Sequence, residues 1–359
     1  MIILTILVLS SAVVALFTVL PISNSGVWWV RGAEFLRLQL LCWAIANIFF
    51  SLWLLDSMPF LAVLALVNLG CVFYHGFWVY AYLPIFPVEV PRASRKIPES
   101  SICILSSNVL MTNTNTQSLI DLIKSTNPDV VITLESDARW QKALDTLSVQ
   151  YPYAIKSPLD NFYGMHVYSR LPFKEKYLEY LVKEGIPSAH CVITLESGED
   201  INLRVLHPMP PSPTESYSSS KRDAELIIVG QKVAEHDVPT IVAGDLNDVA
   251  WSKTSRLFQH VSGLKDPRIG RGFFNTFHAA YPFLRWPLDH MFHSSHFSLI
   301  SLKRLRLKGS DHFSLLTHLQ LEGVSTIDKS NREQSDKALE SQRMGEVDAS
   351  VTEVPTLNR

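Results

Sequence analysis

Gly244-Asp245-Leu246-Asn247 closes an apolar run, Ile241-Val242-Ala243, with Pro239 upstream and Asp248 directly after it. An apolar run bounded by turn formers reads as a buried strand. Alternation then puts Asp245 and Asn247 on one side of the chain and Leu246 on the other. A carboxylate, which only accepts, beside an amide, which also donates, can hold a water and a phosphoryl oxygen together. Asp and Asn after Gly are equally ordinary turn residues, and this stretch alone leaves both readings open. The same pattern recurs along the chain. Asn108 follows Ile102–Ser107, Glu135 closes Val130–Leu134, and His207 closes Leu203–Leu206 ahead of Pro208. Asp289-His290 follows Trp286-Pro287-Leu288, and Asp311-His312 follows Gly309-Ser310. Taken singly, each is as readily a solvated loop residue or a satisfied histidine. Together they are all carboxylate, amide or imidazole, the groups that move protons and hold cations.

The elements that must position them are short. Strands are expected at Ile102–Leu105, Val130–Leu134, Met165–Ser169, His190–Leu195, Ile201–Leu206, Ile241–Ala243, Phe297–Leu302 and Leu315–Leu321. Helices are expected at Gln117–Ser125 and Lys221–His236. Strands with helices between them and hairpin-like neighbours predict an α/β fold, a mixed sandwich rather than a purely parallel sheet.

The chain has 359 residues, 47% of them hydrophobic and 18% charged. The charged fraction falls below the roughly 25% of soluble domains, and the deficit lies in the first 90 or so residues. Met1–Ile22, Leu38–Leu55 and Phe60–Leu83 are apolar runs long enough to span a bilayer. The first lacks a basic n-region and a cleavage site, which predicts an anchor rather than a removed signal peptide. Three spans over residues 1–83 predict a multi-pass integral membrane protein, placed here in a bacterial inner membrane. Arg31, Arg37, Arg92, Arg95 and Lys96 favour a cytoplasmic catalytic domain by the positive-inside rule. Large domains translocate despite flanking charge, so the side stays open. Residues 84–101, with four prolines, predict a stiff extended linker. The domain after it occupies residues 102–321. From Glu322 to Arg359 apolar periodicity and aromatics disappear, which predicts a disordered tail. The net charge of −2 is unlike a general nucleic-acid binder. No Cys-x-x-Cys spacing exists, which argues against a zinc site. Cys103 and Cys191 are expected as buried free thiols, with a disulfide between them as the alternative.

The order Asn108…Glu135…His207…Gly244-Asp245-Leu246-Asn247…Leu288-Asp289-His290…Ser310-Asp311-His312 resembles the endonuclease/exonuclease/phosphatase superfamily. The resemblance covers about Ile102 to Leu321. It implies a two-sheet mixed β-sandwich flanked by helices, here preceded by three transmembrane helices. It also implies a metal-dependent phosphoric ester hydrolase using Mg2+, or Mn2+ in its place. Glu135 would be the first metal ligand, with Asn108 and Asp311 close by, since Mg2+ takes oxygen ligands. His312 would stand beside the scissile phosphate, oriented by Asp289. Asp245 would position or deprotonate the attacking water, and Asn247 and His207 would contact phosphoryl oxygens. The family often has Pro two residues after the last His, where this chain has Ser314. His166, on the strand ending Ser169-Arg170, is an unusual occupant and is expected to be packed rather than catalytic.

Substrate signals are thinner. Arg268 and Arg271 flank Gly270 in a loop and could clamp a phosphate, or be solvated loop residues. Tyr281–Trp286 makes an aromatic approach to Asp289. Beside bilayer anchoring, this predicts a phosphate ester reached at the membrane, lipid-linked in the leading version. A DNA or RNA nuclease is the alternative, with nucleic acid disfavoured as a partner by the balanced charge. A non-catalytic binding module is the second alternative, and it would have no need of both Asp245 and His312.

Overall fold

The computed structural model describes residues 2–322 together with Ser341 and Met344. The expected tail at 322–359 therefore lies almost wholly outside the described residues.

One sheet contains β1 (Ser101–Asn108), β2 (Val130–Leu134), β3 (Tyr153–Ser157), β4 (Met165–Ser169), β10 (Phe297–Arg306) and β11 (Phe313–Leu321). Its strand order is β10-β11-β1-β2-β4-β3. The second contains β5 (Phe173–Glu179), β6 (Ser188–Thr194), β7 (Asp200–Leu206), β8 (Thr240–Asp245) and β9 (Asp289–His293), paired in numerical order. Each sheet has one parallel pair, β1–β2 and β7–β8, among antiparallel neighbours. The expected mixed sandwich is what forms.

Alternation explains the packing. Ile102, Ile104, Val130, Ile132 and Val167 point inward and meet Ile201, Leu203, Ile241 and Ala243 of the other sheet in one core cluster. The intervening Leu105, Val131 and Tyr168 point outward onto α5 (Thr116–Thr126) and α6 (Ala138–Leu144). On the other side Val242 and Phe292 pack under α7 (Ser220–Ala234) and α8 (Lys253–Ser262). Two buried sheet faces and two covered outer faces give strands apolar on both sides. Cys103 and Cys191 are free thiols, one in each sheet.

The N-terminal region contains α1 (Ile2–Val19), α2 (Trp28–Phe35), α3 (Arg37–Trp53) and α4 (Leu61–Val79). Ile2–Ser23 and Leu61–Tyr82 are long and apolar enough to cross a membrane. The α2–α3 pair, bent by 65°, makes a third span if taken as one. Ile6, Leu9, Phe49, Trp53, Leu66 and Phe73 turn outward. The polar residues turn inward and pair, Asn47 Nδ2 with Asn68 Oδ1 at 3.2 Å and Asn68 Nδ2 with Ser11 Oγ at 2.8 Å. Apolar outside and hydrogen-bonded inside is the arrangement a bilayer selects.

One expectation fails here. The stretch between the first two runs is no solvent loop, because it holds α2, and Arg31 and Arg37 are buried against Glu34. The linker is extended but docked. Val90 enters the main core, and Pro91 O and Ala93 N bond to the backbone of Leu299. Further bonds join the N-terminal region to the domain that follows. Tyr82 Oη donates to Ala250 O at 2.7 Å, and Arg256 Nη2 donates to Trp78 O at 2.8 Å.

Candidate active site

The polar residues singled out above converge at one end of the sandwich. Asn108 and Asp245 end β1 and β8, while Glu135 and His207 follow β2 and β7. Asp289 does not close a strand as expected. It opens β9, which runs antiparallel to β8, and the register puts it directly opposite Asp245. Asp311 and His312 likewise lead into β11. Gly244 has φ 141°, and a Cβ there would lie 2.0 Å from Leu206 O. Only glycine lets β8 pass so close to β7 at the strand end. Glu135 (φ 57°) and Asn247 (φ 52°) both adopt the left-handed conformation immediately after their strands. Such strain persists only where surroundings hold it, and it clusters at functional sites.

His312 stands between two carboxylates. Its Nδ1 lies 2.8 Å from Asp289 Oδ2, and its Nε2 lies 3.6 Å from Asp245 Oδ2. The first is a hydrogen bond and the second is too long for one, which leaves Nε2–H free for a substrate oxygen. Burial opposes the charge, but Asp289 and Asp245 outweigh it and push the imidazole up to about 10. Asp245 Oδ1 accepts from Asn247 N at 3.0 Å, and its Oδ2 accepts from Asn108 Nδ2 at 3.1 Å. A cleft of about 260 Å³ opens over these groups. Glu135, Asp245, Asn247, Asp311 and His312 form its polar wall, and Phe35, Pro210, Pro211, Phe277 and Leu288 its apolar wall.

Asp245, Asp289 and His312 present ligand atoms within 4.8 Å of one another, close enough for a metal ion by spacing alone. The bond from Nδ1 to Asp289 makes these two a hydrogen-bonded pair, with Asp245 beside it at 3.6 Å. Glu135 and Asp311 fit a cation better. Burial, with Asp245 and Asp311 nearby, pushes Glu135 up to about 7. Asp311 Oδ1 is buried without a donor. Carboxylate oxygens in a partly dry cleft without a full set of donors are the kind of ligand a hard divalent cation takes. Asn108 departs from its expected role as an oxygen ligand. Its Nδ2 donates to Glu135 Oε1 at 2.7 Å as well as to Asp245, and its Oδ1 accepts Leu110 N. Two carboxylates need a donor between them, and the amide bridges them.

Three further expectations are corrected. Arg268 does not reach the cleft. It is 2% exposed, its Nη2 bonds Asp266 Oδ2 at 2.8 Å and His290 Nδ1 at 2.7 Å, and it supports the strand bearing Asp289. Arg271 is engaged by the carbonyls of Pro267 and Val90. Both guanidinium groups are used by the chain itself. His207 is buried and does not line the cleft. Its ring lies 5.3 Å from that of Tyr163, and burial depresses its pKa, which keeps it neutral. His166 is packed as expected, with Nδ1 3.2 Å from Thr133 Oγ1. Phe35 was missed altogether. It precedes the second apolar run, and its place in the cleft follows from Trp286 Nε1 donating to Phe35 O at 2.6 Å.

Residues 105–312 match the family model described as endonuclease/exonuclease/phosphatase family. The chain belongs to that family. It is accordingly a metal-dependent phosphoric ester hydrolase, as the family's members are. Among solved structures, an endonuclease/exonuclease/phosphatase from Beutenbergia cavernae is 18% identical with a TM-score of 0.51, over 62% of this chain and 72% of that one. D. rerio TDP2 complexed with single strand DNA product is 19% identical with a TM-score of 0.50, over 62% of this chain and 99% of that one. The human Nocturnin catalytic domain with bound sulfate is 17% identical with a TM-score of 0.50, over 62% of this chain and 95% of that one. At these identities the likeness is one of fold. No curated protein matches the chain.

Proposed function

We propose that this family member is a membrane-anchored, Mg2+-dependent phosphoesterase that hydrolyses a lipid-linked phosphate ester by in-line attack of water. Residues 1–83 would be the anchor and 102–321 the catalytic domain. The observation that carries the reading is the position of Phe35. A residue between the apolar N-terminal helices walls the same cleft as Glu135, Asp245 and His312. An apolar wall continuous with the spans, opposite a wall of carboxylates, suits an ester with a charged head and an apolar remainder.

Glu135 and Asp311 would hold the metal, with Asn108 keeping Glu135 in place. The bound ion would neutralise phosphoryl charge and support the leaving oxygen. Asp245 accepts a proton from the attacking water and aligns it, while Asn247 steadies a phosphoryl oxygen. His312, held by Asp289, offers Nε2–H to charge that develops on phosphoryl oxygen.

The nuclease reading has one observation of its own. Arg285, Arg304 and Arg306 lie 5.1, 4.3 and 5.2 Å from the ring of Phe313, next to His312. Local positive charge of this kind can follow a polyanion although the whole chain is near neutral.

Full-length protein in detergent, assayed on lipid diphosphates, sphingomyelin, phosphoinositides, abasic DNA and plain DNA, separates the two. At least one lipid ester should exceed plain DNA by about tenfold or more in kcat/KM, a difference in transition-state stabilisation of ~1.4 kcal/mol or more. Preference for plain DNA would reverse the assignment. Anchoring has its own check. The chain should stay with membranes through alkaline carbonate and leave only in detergent, and release by carbonate alone would refute the spans.

A further inference from the structure

The elbow between α2 and α3 places charges where the N-terminal region is otherwise apolar. Arg31, Glu34 and Arg37 are each 2% exposed or less. Glu34 accepts from Arg31 Nη1 at 3.3 Å and from Arg37 Nη2 at 3.2 Å. Arg31 Nη2 also lies 3.9 Å from Asp223 Oδ2 on α7. Asp223 Oδ1 in turn accepts Nε and Nη2 of Arg222, at 3.0 and 2.8 Å. The last link reaches the active site. Arg222 Nη1 donates to the carbonyl of Asn247 at 2.8 Å, and Nη2 lies 3.2 Å from Asp248 Oδ2.

Three guanidinium groups thus meet three carboxylates out of water. The network balances its charge but is not fully hydrogen-bonded, since Arg31 Nε and Nη2 and Arg37 Nε and Nη1 have no hydrogen-bond partner among the described residues. Loss of one member leaves a buried charge that its surroundings must move to meet. Arg222 uses both edges of a planar fork, which a point charge cannot copy. Its target is the carbonyl of a residue in a left-handed conformation, whose own N–H holds Asp245 Oδ1. The elbow is also fastened from the other side, since Trp251 Nε1 donates to Glu34 O at 2.8 Å.

We propose that Arg222 is a positioning residue for the Asp245–Asn247 turn and that Glu34 and Arg31 set its position. Turnover then depends on how the N-terminal helices are seated against the catalytic domain. This rests on Asp245 and Asn247 acting in catalysis, as proposed above.

The test uses full-length protein in nanodiscs and one water-soluble phosphodiester. Arg222→Met, Arg222→Lys and Glu34→Gln are compared for kcat, KM, the Mg2+ concentration giving half-maximal rate, and melting. Misplacement of a catalytic group predicts a fall in kcat of about 30- to 100-fold for Arg222→Met, with KM within about twofold. Arg222→Lys should recover part of that loss, and Glu34→Gln should lower kcat in the same way but less. The Mg2+ requirement should stay unchanged, because no metal ligand is touched. A purely structural role would lower the melting temperature and leave kcat per folded molecule at the wild-type value. If Arg222→Met does not fold, the other two variants decide. Asp245→Asn is run alongside. Full activity in Asp245→Asn would overturn the catalytic reading itself. An inactive Asp245→Asn with wild-type kcat in folded Arg222 and Glu34 variants would overturn the positioning role alone.

Discussion

His312→Ala is expected to lower kcat/KM by roughly 10³-fold or more, the size of combined proton-transfer and electrostatic terms in a dry site. Asp289→Asn should cost somewhat less, because the ring stays in place while losing its carboxylate. The two groups are 23 positions apart and joined by a 2.8 Å bond buried from water. A carboxylate accepting from Nδ1–H orients the ring and stabilises the imidazolium, whose Nε2–H then points at substrate. Loss of either residue therefore impairs the same event. The double variant should be little worse than His312→Ala alone, since groups acting as a unit are strongly non-additive. A double-mutant cycle on kcat/KM with one phosphoester measures this. Fully additive losses would mean two independent groups and no dyad.

Glu135→Gln should reduce hydrolysis by a comparable factor while leaving the fold intact. The amide keeps the shape and can still meet Asn108, but it removes the charge that would hold the cation. Because burial already disfavours that charge, its removal should not lower the melting temperature. Activity and melting curves on the same preparation check both parts. Wild-type activity in Glu135→Gln would remove this carboxylate from the metal site.

What was legible in the sequence follows from how far apart the interacting residues lie. Asn108, Glu135 and Asp245 each sit where an apolar run stops at a polar residue, a local signal that needs no knowledge of pairing. Asp289 was found by its place in the family's order. The notion that it closes a strand was wrong because Trp286–Leu288 is apolar yet irregular, and the strand begins at Asp289 itself. The edge strand Phe173–Glu179 escaped notice because charges interrupt its alternation. α2 is eight residues long and carries Arg31 and Glu34, which look like loop residues until Asp223 and Arg37 are brought beside them. Arg268 was misjudged for the same reason. An arginine in a glycine-broken loop suggests a phosphate clamp, and only the fold reveals His290 and Asp266 as its partners. Buried charge is hard to read from sequence because a compensating residue nearby, such as Glu34 for Arg31 or Asp266 for Arg268, looks the same in a solvated loop until the fold buries both.

The central claim is that a metal ion bound through Glu135 and Asp311 makes this cleft a phosphoesterase, and a metal titration tests it most directly. Full-length protein stripped with chelator is assayed on its best phosphoester while Mg2+ is added back. The account predicts no turnover above background in chelator and a saturable return of activity with Mg2+. Undiminished hydrolysis in chelator would contradict it.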